Sequence, residues 1–268
     1  MGKLSNSKKN RRKRLVREVL HYFGFDLIRV DKQRIVKGEK IPFDVDENFI
    51  HIFKSNPYLG GYTVKLYTTY KAVEYVVKNN IKGDFIECGV FEGREIIMML
   101  LTLQKLGDQS RDIYLYDTFA GMTKPGVYDE KKHRNFDAQA NLKKWESLQR
   151  GTYNEYTYCP LEKTKEYVYS TGYPQEKIHF IKGDILKTIP NDFHKEIAIL
   201  RIDVDWYEST KHGLKHLFPI LSKEGIFIND DYGSWAGARK AIDEYFKEIS
   251  VFPFLARTEE TERVYLKT

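Results

Sequence analysis

The chain has 268 residues, of which 41% are hydrophobic. This is enough for one large α/β domain with its own core, and it excludes disorder of the chain as a whole. The formal net charge of +6 is unevenly spread, because residues 1–17 hold eight Lys or Arg and no acid. The remainder carries 36 basic and 38 acidic residues, and such a neutral body argues against a nucleic-acid partner bound on a broad basic face.

The basic N-terminal segment is expected to be separate from the domain that follows, with residues 1–40 in the segment and 41–268 in the domain. Residues 15–23 place apolar side chains at helical spacing directly after the basic run. Three interpretations stay open: a solvated terminus, a helix lying on anionic lipid through residues 1–23, or a nucleic-acid contact. Neither a signal peptide nor an apolar run of 18 residues is present, so we expect a cytoplasmic protein, at the inner membrane face under the second interpretation.

The hydrophobic pattern of the domain predicts alternating strands and helices. Residues 44–63 are expected to be irregular. Strands are predicted at 84–88, 112–116, 178–181, 197–202 and 225–228, with 251–255 and 263–266 as a closing antiparallel pair, and helices at 64–79, 94–106, 136–148, 161–170, 209–221 and 236–249. Such alternation favours an α/β fold with a doubly wound, mostly parallel, Rossmann-like sheet, here of seven strands. Ligands of such sheets bind beyond the carboxyl ends of the strands.

The first predicted strand ends in a glycine-containing turn, Glu87-Cys88-Gly89-Val90-Phe91-Glu92-Gly93. Gly89 permits a tight turn, and Gly93 would let a ligand approach the start of the next helix. The G-x-G-x-x-G spacing of nicotinamide-binding proteins is absent. An acid at Glu87 suits a ligand that carries an ammonium group, as the methionine half of S-adenosylmethionine does.

Acids also stand at the ends of the next two strands. Asp117, at the end of the second, could accept hydrogen bonds from ribose hydroxyls. The third runs into Gly183-Asp184-Ile185, where Asp184 could reach the adenine amine and Ile185 could pack on the ring. Each acid alone could instead cap the following helix. Three acids at successive strand ends favour a shared cofactor site.

Four aspartates follow the fourth and fifth strands, which neighbour each other in this type of sheet. They are Asp203, Asp205, Asp230 and Asp231. Carboxylates brought so close repel one another unless a cation joins them. Ligation by carboxylates alone favours Mg²⁺, Ca²⁺ or Mn²⁺ over zinc.

Five of these segments together resemble the macrocin O-methyltransferase family, whose members include methyltransferases of antibiotic deoxysugars. The segments are Glu87-Cys88-Gly89-Val90, Tyr114-Leu115-Tyr116-Asp117-Thr118-Phe119, Gly183-Asp184-Ile185, Asp203-Val204-Asp205-Trp206-Tyr207-Glu208-Ser209-Thr210 and Asp230-Asp231-Tyr232-Gly233. The resemblance covers roughly residues 57–250. It implies a class I methyltransferase fold, S-adenosylmethionine and Mg²⁺.

The resemblance also implies roles for individual residues. Asp203, Asp230 and Asp231 match the metal ligands of the family, and Asp205 matches its general base. One departure follows Gly93, where the family commonly has Gly-Ser and this chain has Arg94 and Glu95. Arg94 could supply a charge where other members use backbone amides.

The expected function is therefore metal-dependent transfer of a methyl group from S-adenosylmethionine to a hydroxyl of a sugar or glycoside acceptor. Residues 118–175 are expected to cover the acceptor, with stacking aromatic candidates at Phe119, Tyr128, Tyr153 and Tyr156. Phenol or catechol methylation is an alternative. A glycosyltransferase is another, because Asp203-Val204-Asp205 is also a D-x-D motif. The partner is then a small molecule or glycan, and we expect a homo-oligomer.

Overall fold

The chain divides into two units, residues 1–44 and residues 45–268. The computed structural model describes residues 20–22, 35–42, 44–129 and 138–268. In the first unit residues 20–22 are helical, and β1 (Ile35–Val36) pairs antiparallel with β2 (Glu39–Lys40). The basic run and most of the predicted N-terminal helix lie outside the described residues. No described helix has both the length and the apolar character needed to span a bilayer.

The second unit alternates strands and helices as the pattern predicts. Its helices are α1 (Glu47–Ser55), α2 (Thr63–Lys78), α3 (Arg94–Leu106), α4 (Ala138–Ser147), α5 (Leu161–Tyr169), α6 (Ile185–Thr188), α7 (Tyr207–Leu217) and α8 (Ala236–Glu248), with 3₁₀ turns at Gln175–Lys177 and Phe218–Ile220. Its strands are β3 (Asp84–Cys88), β4 (Ile113–Asp117), β5 (Gln149–Arg150), β6 (Tyr153–Asn154), β7 (Ile178–Lys182), β8 (Ile197–Ile202), β9 (Leu221–Asn229), β10 (Ala256–Arg257) and β11 (Arg263–Leu266).

Seven of the strands form one sheet in the order β10-β11-β9-β8-β3-β4-β7. Strands β9, β8, β3, β4 and β7 are parallel, whereas β11 runs antiparallel to β9 and β10 antiparallel to β11. The predicted fold class is therefore confirmed. Strand order reverses at β3, whose neighbours are β4 and β8, and a crevice forms at such a switch point beyond the carboxyl ends of the strands.

The burial of the central strands explains why they read as continuous apolar runs. All six residues of β8 are buried, as are four of the five in β3. Parallel strands covered by helices on both faces need apolar side chains in both directions. Arg201, a charged residue within β8, is therefore an exception. Its buried guanidinium needs anionic partners, which are described with the site below.

Two predicted elements were wrong. Residues 44–63 contain α1, which begins where Asp46 Oδ1 accepts a hydrogen bond from the Phe49 amide at 3.0 Å and which buries Phe49, Ile52 and Phe53 at helical spacing. Residues 251–255 form no strand, and the edge pairing begins at Ala256. Pro253 lacks the amide hydrogen that a strand needs on its paired side, and the neighbouring Phe side chains point to solvent.

Candidate active site

A cavity of about 540 Å³ opens at the carboxyl ends of the parallel strands. Ten of the eleven residues predicted for the cofactor, the metal and the base line it: Glu87, Gly89, Asp117, Gly183, Asp184, Ile185, Asp203, Asp205, Asp230 and Asp231. Gly93 is the exception. It lies under α5, where a Cβ would meet the Val168 side chain at 2.9 Å, so close helix packing, at a φ of 78°, accounts for this glycine.

Gly89 brings the ends of β3 and β8 together. Its φ is 85°, and a Cβ there would lie 1.8 Å from the Asp203 carbonyl oxygen. The Asp203 amide in turn donates to the Cys88 carbonyl at 2.8 Å. The glycine thus places the first carboxylate of the predicted metal site directly beside the β3 turn.

Asp117 holds the loop that follows β3. Its Oδ2 accepts hydrogen bonds from the amides of Val90 at 2.7 Å and Phe91 at 2.9 Å, and its Oδ1 accepts one from Phe119 at 2.6 Å. This carboxylate therefore has a structural role as well as a place in the cavity. Asp184 caps α6 by accepting from the Leu186 amide at 3.0 Å.

Glu87 forms the charged floor of the cavity with Arg201. Its Oε1 lies 2.6 Å from Arg201 Nη1, and its Oε2 is buried without a hydrogen-bond partner in the described structure. Burial raises the pKa of Glu87 well above its ordinary value, although the guanidinium opposes this. An acceptor oxygen thus remains available to a ligand donor.

The predicted metal ligands form a compact group. One oxygen each from Asp203, Asp230 and Asp231 lies within 4.8 Å of the others. Burial, reinforced by the neighbouring carboxylates, raises the pKa of Asp203 and of Asp231. Such a site stores electrostatic repulsion that a divalent cation would relieve.

Two cations partly compensate these carboxylates. Arg201 Nη1 lies 2.8 Å from Asp203 Oδ2, and Arg201 Nη2 lies 3.0 Å from Asp230 Oδ1. Lys65 Nζ, from the first turn of α2, lies 2.9 Å from Asp230 Oδ2. Counted as ionised, the three aspartates together with Asp205 and Glu87 would carry five negative charges against the two positive charges of Arg201 and Lys65.

Asp205 lies beside this group because the backbone leaves the extended conformation after β8. β8 ends at Ile202, and Asp205 adopts a left-handed backbone with φ 60°. Its amide donates to Asp231 Oδ2 at 2.9 Å, and its carboxylate accepts a hydrogen bond from the Trp235 side chain. Burial, then the Asp203 and Asp230 carboxylates, raises the pKa of Asp205 to about 8. A proton acceptor is thereby held beside the carboxylate group.

The segment after β4 supplies a second wall. Met122, Thr123, Tyr156 and Thr157 line the cavity, and Met122 packs against Trp206 and Trp235. Trp206 Nε1 donates to the Thr123 carbonyl at 2.8 Å. Of the aromatic residues predicted to stack on an acceptor, only Tyr156 lines the cavity. The others pack on protein rings: Phe119 on Phe180, Tyr128 on Tyr207 and Tyr153 on Tyr158.

Sequence reasoning missed the residues that compensate and extend the acidic group. Lys65, Glu95 and Arg201 line the cavity, and Glu95 is buried with its pKa raised by burial. Arg201 carried a readable signal, since it is the one charge in an apolar strand. Lys65 carried none, because polar residues in the first turn of a helix are ordinary, and Glu95 stood out only as a departure from the family pattern. His212, on α7 close to the aspartates in sequence, contacts the Ile189 carbonyl at 2.8 Å and does not line the cavity.

Comparison with known proteins matches residues 61–265 to the family described as Macrocin-O-methyltransferase (TylF). One relative is a tetracenomycin-C 4'-O-methyltransferase of Streptomyces olivaceus, whose name specifies a dimethoxy-rhamnosyl compound. It is 30% identical over 65% of this chain and 61% of its own length. Mycinamicin III 3''-O-methyltransferase of Micromonospora griseorubida is 30% identical over 65% of this chain and 64% of its own. The chain thus spans less than two thirds of these relatives.

Solved structures agree with this assignment. The O-methyltransferase NovP superposes with a TM-score of 0.67 at 26% identity, over 78% of this chain and 81% of that one. The calicheamicin methyltransferase CalS11 shares the fold, with a TM-score of 0.59 at 18% identity over 90% of this chain and 98% of that one. The chain belongs to the macrocin O-methyltransferase family.

Proposed function

We propose that this chain is a metal-dependent O-methyltransferase that transfers a methyl group from S-adenosylmethionine to a hydroxyl of a sugar or glycoside. The observation that carries the proposal is the grouping of three carboxylates and a fourth, Asp205, at one end of a cavity with acids at successive strand ends. The name of one relative supports the acceptor class, since it specifies a rhamnosyl compound.

The residues present fit S-adenosylmethionine. Among the described residues, the buried Glu87 Oε2 has no hydrogen-bond partner, and a carboxylate oxygen in this position suits the ammonium of the methionine half. Asp117 would hold ribose hydroxyls, and Asp184 with Ile185 would hold adenine. Gly89 and Gly183 permit close packing beside the cavity, because a Cβ would lie 1.8 Å from the Asp203 carbonyl oxygen at Gly89 and 2.7 Å from Thr188 Cγ2 at Gly183. The donor supplies its methyl group on a sulfonium centre, which requires in-line approach of the acceptor oxygen.

The residues also fit Mg²⁺. Asp203, Asp230 and Asp231 would hold the ion, since a group of hard carboxylate oxygens with uncompensated charge matches its ligand preference. When bound, the ion would lower the pKa of an acceptor hydroxyl and orient the acceptor. Asp205, held beside this group, would accept the hydroxyl proton. Trp206 and Trp235, whose ring centroids are 4.9 Å apart, exclude water from that side.

A methyl-label assay tests this proposal. Purified protein is incubated with methyl-labelled S-adenosylmethionine, Mg²⁺ and a panel of rhamnosylated compounds, free deoxysugars and catechols. Label is expected on a sugar hydroxyl, and label on catechols alone would instead assign a phenolic acceptor. A parallel arm with a labelled nucleotide sugar, in place of the methyl donor, should transfer nothing.

Metal dependence has its own test. Chelator should abolish methyl transfer, and added Mg²⁺ should restore it, while calorimetry in chelator still detects S-adenosylhomocysteine binding. Full turnover by protein that metal analysis finds empty would remove the ion from the proposal and leave the methyltransferase assignment standing.

The N-terminal segment is proposed to hold the enzyme at the inner membrane face through residues 1–23, with the methyltransferase domain over 41–268. A chain that begins at Glu18 should stay folded and lose binding to anionic liposomes, because each basic residue near the surface contributes about 1 kcal/mol. Equal co-sedimentation of both chains would reject this.

A homo-oligomer is also proposed, and light scattering that gives the 31.6 kDa mass of one chain would contradict it.

A further inference from the structure

Arg94 is a charged residue of the cavity that the proposed chemistry does not use. It is the first residue of α3, directly after the Gly93 turn, and its side chain lines the cavity. A Cβ built at Gly61 would lie 3.5 Å from Arg94 Nη1. The guanidinium therefore extends from the β3–α3 turn towards the residues that precede α2, at the rim of the cavity.

The partner of Arg94 distinguishes it from the other cations there. Of the described residues that line the cavity, Lys65, Arg94 and Arg201 are cationic. Arg201 and Lys65 are both engaged by the carboxylate group, with side chains 3% and 10% exposed. Arg94 Nη2 instead contacts Glu92 Oε2 at 2.7 Å, and these two side chains are 36% and 30% exposed.

An ion pair at this exposure is exchangeable. Solvent-exposed pairs contribute little to stability, so Glu92 can leave the guanidinium at small cost. A planar guanidinium binds a carboxylate through two parallel hydrogen bonds, which is a stronger and more selective contact. The Glu92 carboxylate thus lies where the guanidinium of Arg94 can donate hydrogen bonds to the carboxylate of a ligand.

We propose that Arg94 binds the carboxylate of the methionine half of S-adenosylmethionine. The inference rests on the proposed function, which places the adjacent ammonium at Glu87. The zwitterion would then meet an anion and a cation from one turn, with Glu87 before Gly89 and Arg94 after Gly93. Glu92 leaves the guanidinium when the ligand binds.

Two ligands distinguish a contact with the amino acid group from a general effect of Arg94 on cofactor binding. S-adenosylhomocysteine carries the amino acid group, whereas 5'-methylthioadenosine has the adenosine and sulfur without it. In calorimetry, Arg94→Met should weaken S-adenosylhomocysteine binding about 10- to 100-fold, the range of a lost charge-assisted contact, and leave methylthioadenosine within about twofold. Arg94→Lys keeps the positive charge but not the planar guanidinium, so its affinity for S-adenosylhomocysteine should lie between those of Arg94→Met and wild type.

Glu92→Gln is the matched control, because it removes the resident partner and keeps the guanidinium. It should bind S-adenosylhomocysteine as tightly as wild type or more tightly. Unchanged affinity in Arg94→Met, or equal losses for both probes, would overturn the inference, as would an equally large loss in Glu92→Gln. Wild type that binds neither probe would instead refute the proposed function. Thermal melting of each variant verifies that it is folded.

Discussion

Asp205 is held in a backbone conformation that few residues other than glycine adopt, and the contacts with Asp231 and Trp235 fix it there. Asp205→Asn keeps the shape and an acceptor oxygen for Trp235, but it removes the basic oxygen. We expect kcat to fall about 10²–10⁴-fold, with metal content and S-adenosylhomocysteine affinity near wild type. Both quantities should be measured on one preparation, and a fall in metal content would make Asp205 a ligand.

Lys65 contacts Asp230, one of the three carboxylates proposed to hold the ion. Its ammonium lies 2.9 Å from Asp230 Oδ2 in a largely buried position. Unit charges 4 Å apart interact by about 4 kcal/mol at an effective dielectric of 20, so this cation opposes Mg²⁺ binding. Lys65→Met should tighten Mg²⁺ about tenfold or more by calorimetry, since 1.4 kcal/mol is a factor of ten. Lys71→Met, on the exposed part of the same helix, is the control and should not change the affinity. Weaker binding in Lys65→Met would show that the lysine instead orders Asp230.

At the scale of elements, the wall formed after β4 depends on one buried carboxylate. Asp129 Oδ1 accepts from the Tyr207 amide at 2.7 Å, at the start of α7, and Oδ2 accepts from the Gly126 amide at 2.5 Å. Gly237 leaves room for it, because a Cβ there would lie 2.2 Å from Oδ1. The carboxylate thus ties the wall to α7 and α8.

Asp129→Asn should loosen this wall, because one of its two acceptor oxygens becomes a donor facing an amide. Leaving such a buried group unpaired costs about 1–3 kcal/mol. Urea unfolding should show that loss, and the acceptor KM should rise more than the Kd of S-adenosylhomocysteine. Exposed Asp192→Asn serves as the control. Unchanged stability would mean that other contacts hold the wall.

At the scale of the whole molecule, acid stability is linked to His194, which lies in the segment that precedes β8. Tyr116 Oη accepts a hydrogen bond from Asn191 Nδ2 at 2.7 Å and lies 2.5 Å from His194 Nε2. Burial, then the neighbouring His179, lowers the pKa of His194 from 6.5 to about 4.

The unfolded chain therefore binds more protons than the folded protein between about pH 6.5 and pH 4, so His194 causes stability to fall as the pH drops through that window. His194→Gln removes the titration. Urea unfolding at several pH values should give the variant a shallower pH dependence across the window, with parallel curves above pH 7. Parallel curves throughout would show that His194 titrates alike in both states.

The sequence by itself determined the fold class and the position of the chemistry. Apolar runs at strand length alternate with helical periodicity, and parallel strands align their carboxyl ends at one edge. Residues that follow the strands, such as Asp117, Asp184, Asp203 and Asp230, were therefore predictable as neighbours from chain order alone, and the structure brings them to one cavity. The family match over residues 61–265 includes those same segments.

Only the tertiary structure decided which charges meet. Lys65 and Asp230 are 165 residues apart, and Glu87 and Arg201 are 114 apart, so no local pattern indicates either pair. The hydrogen bonds of Asp117 with the amides of Val90 and Phe91, and the start of the edge strand at Ala256, likewise depend on the tertiary structure. The physical reason is common to these cases: burial removes water, and a buried polar group must then pair with whatever the packed chain brings within reach.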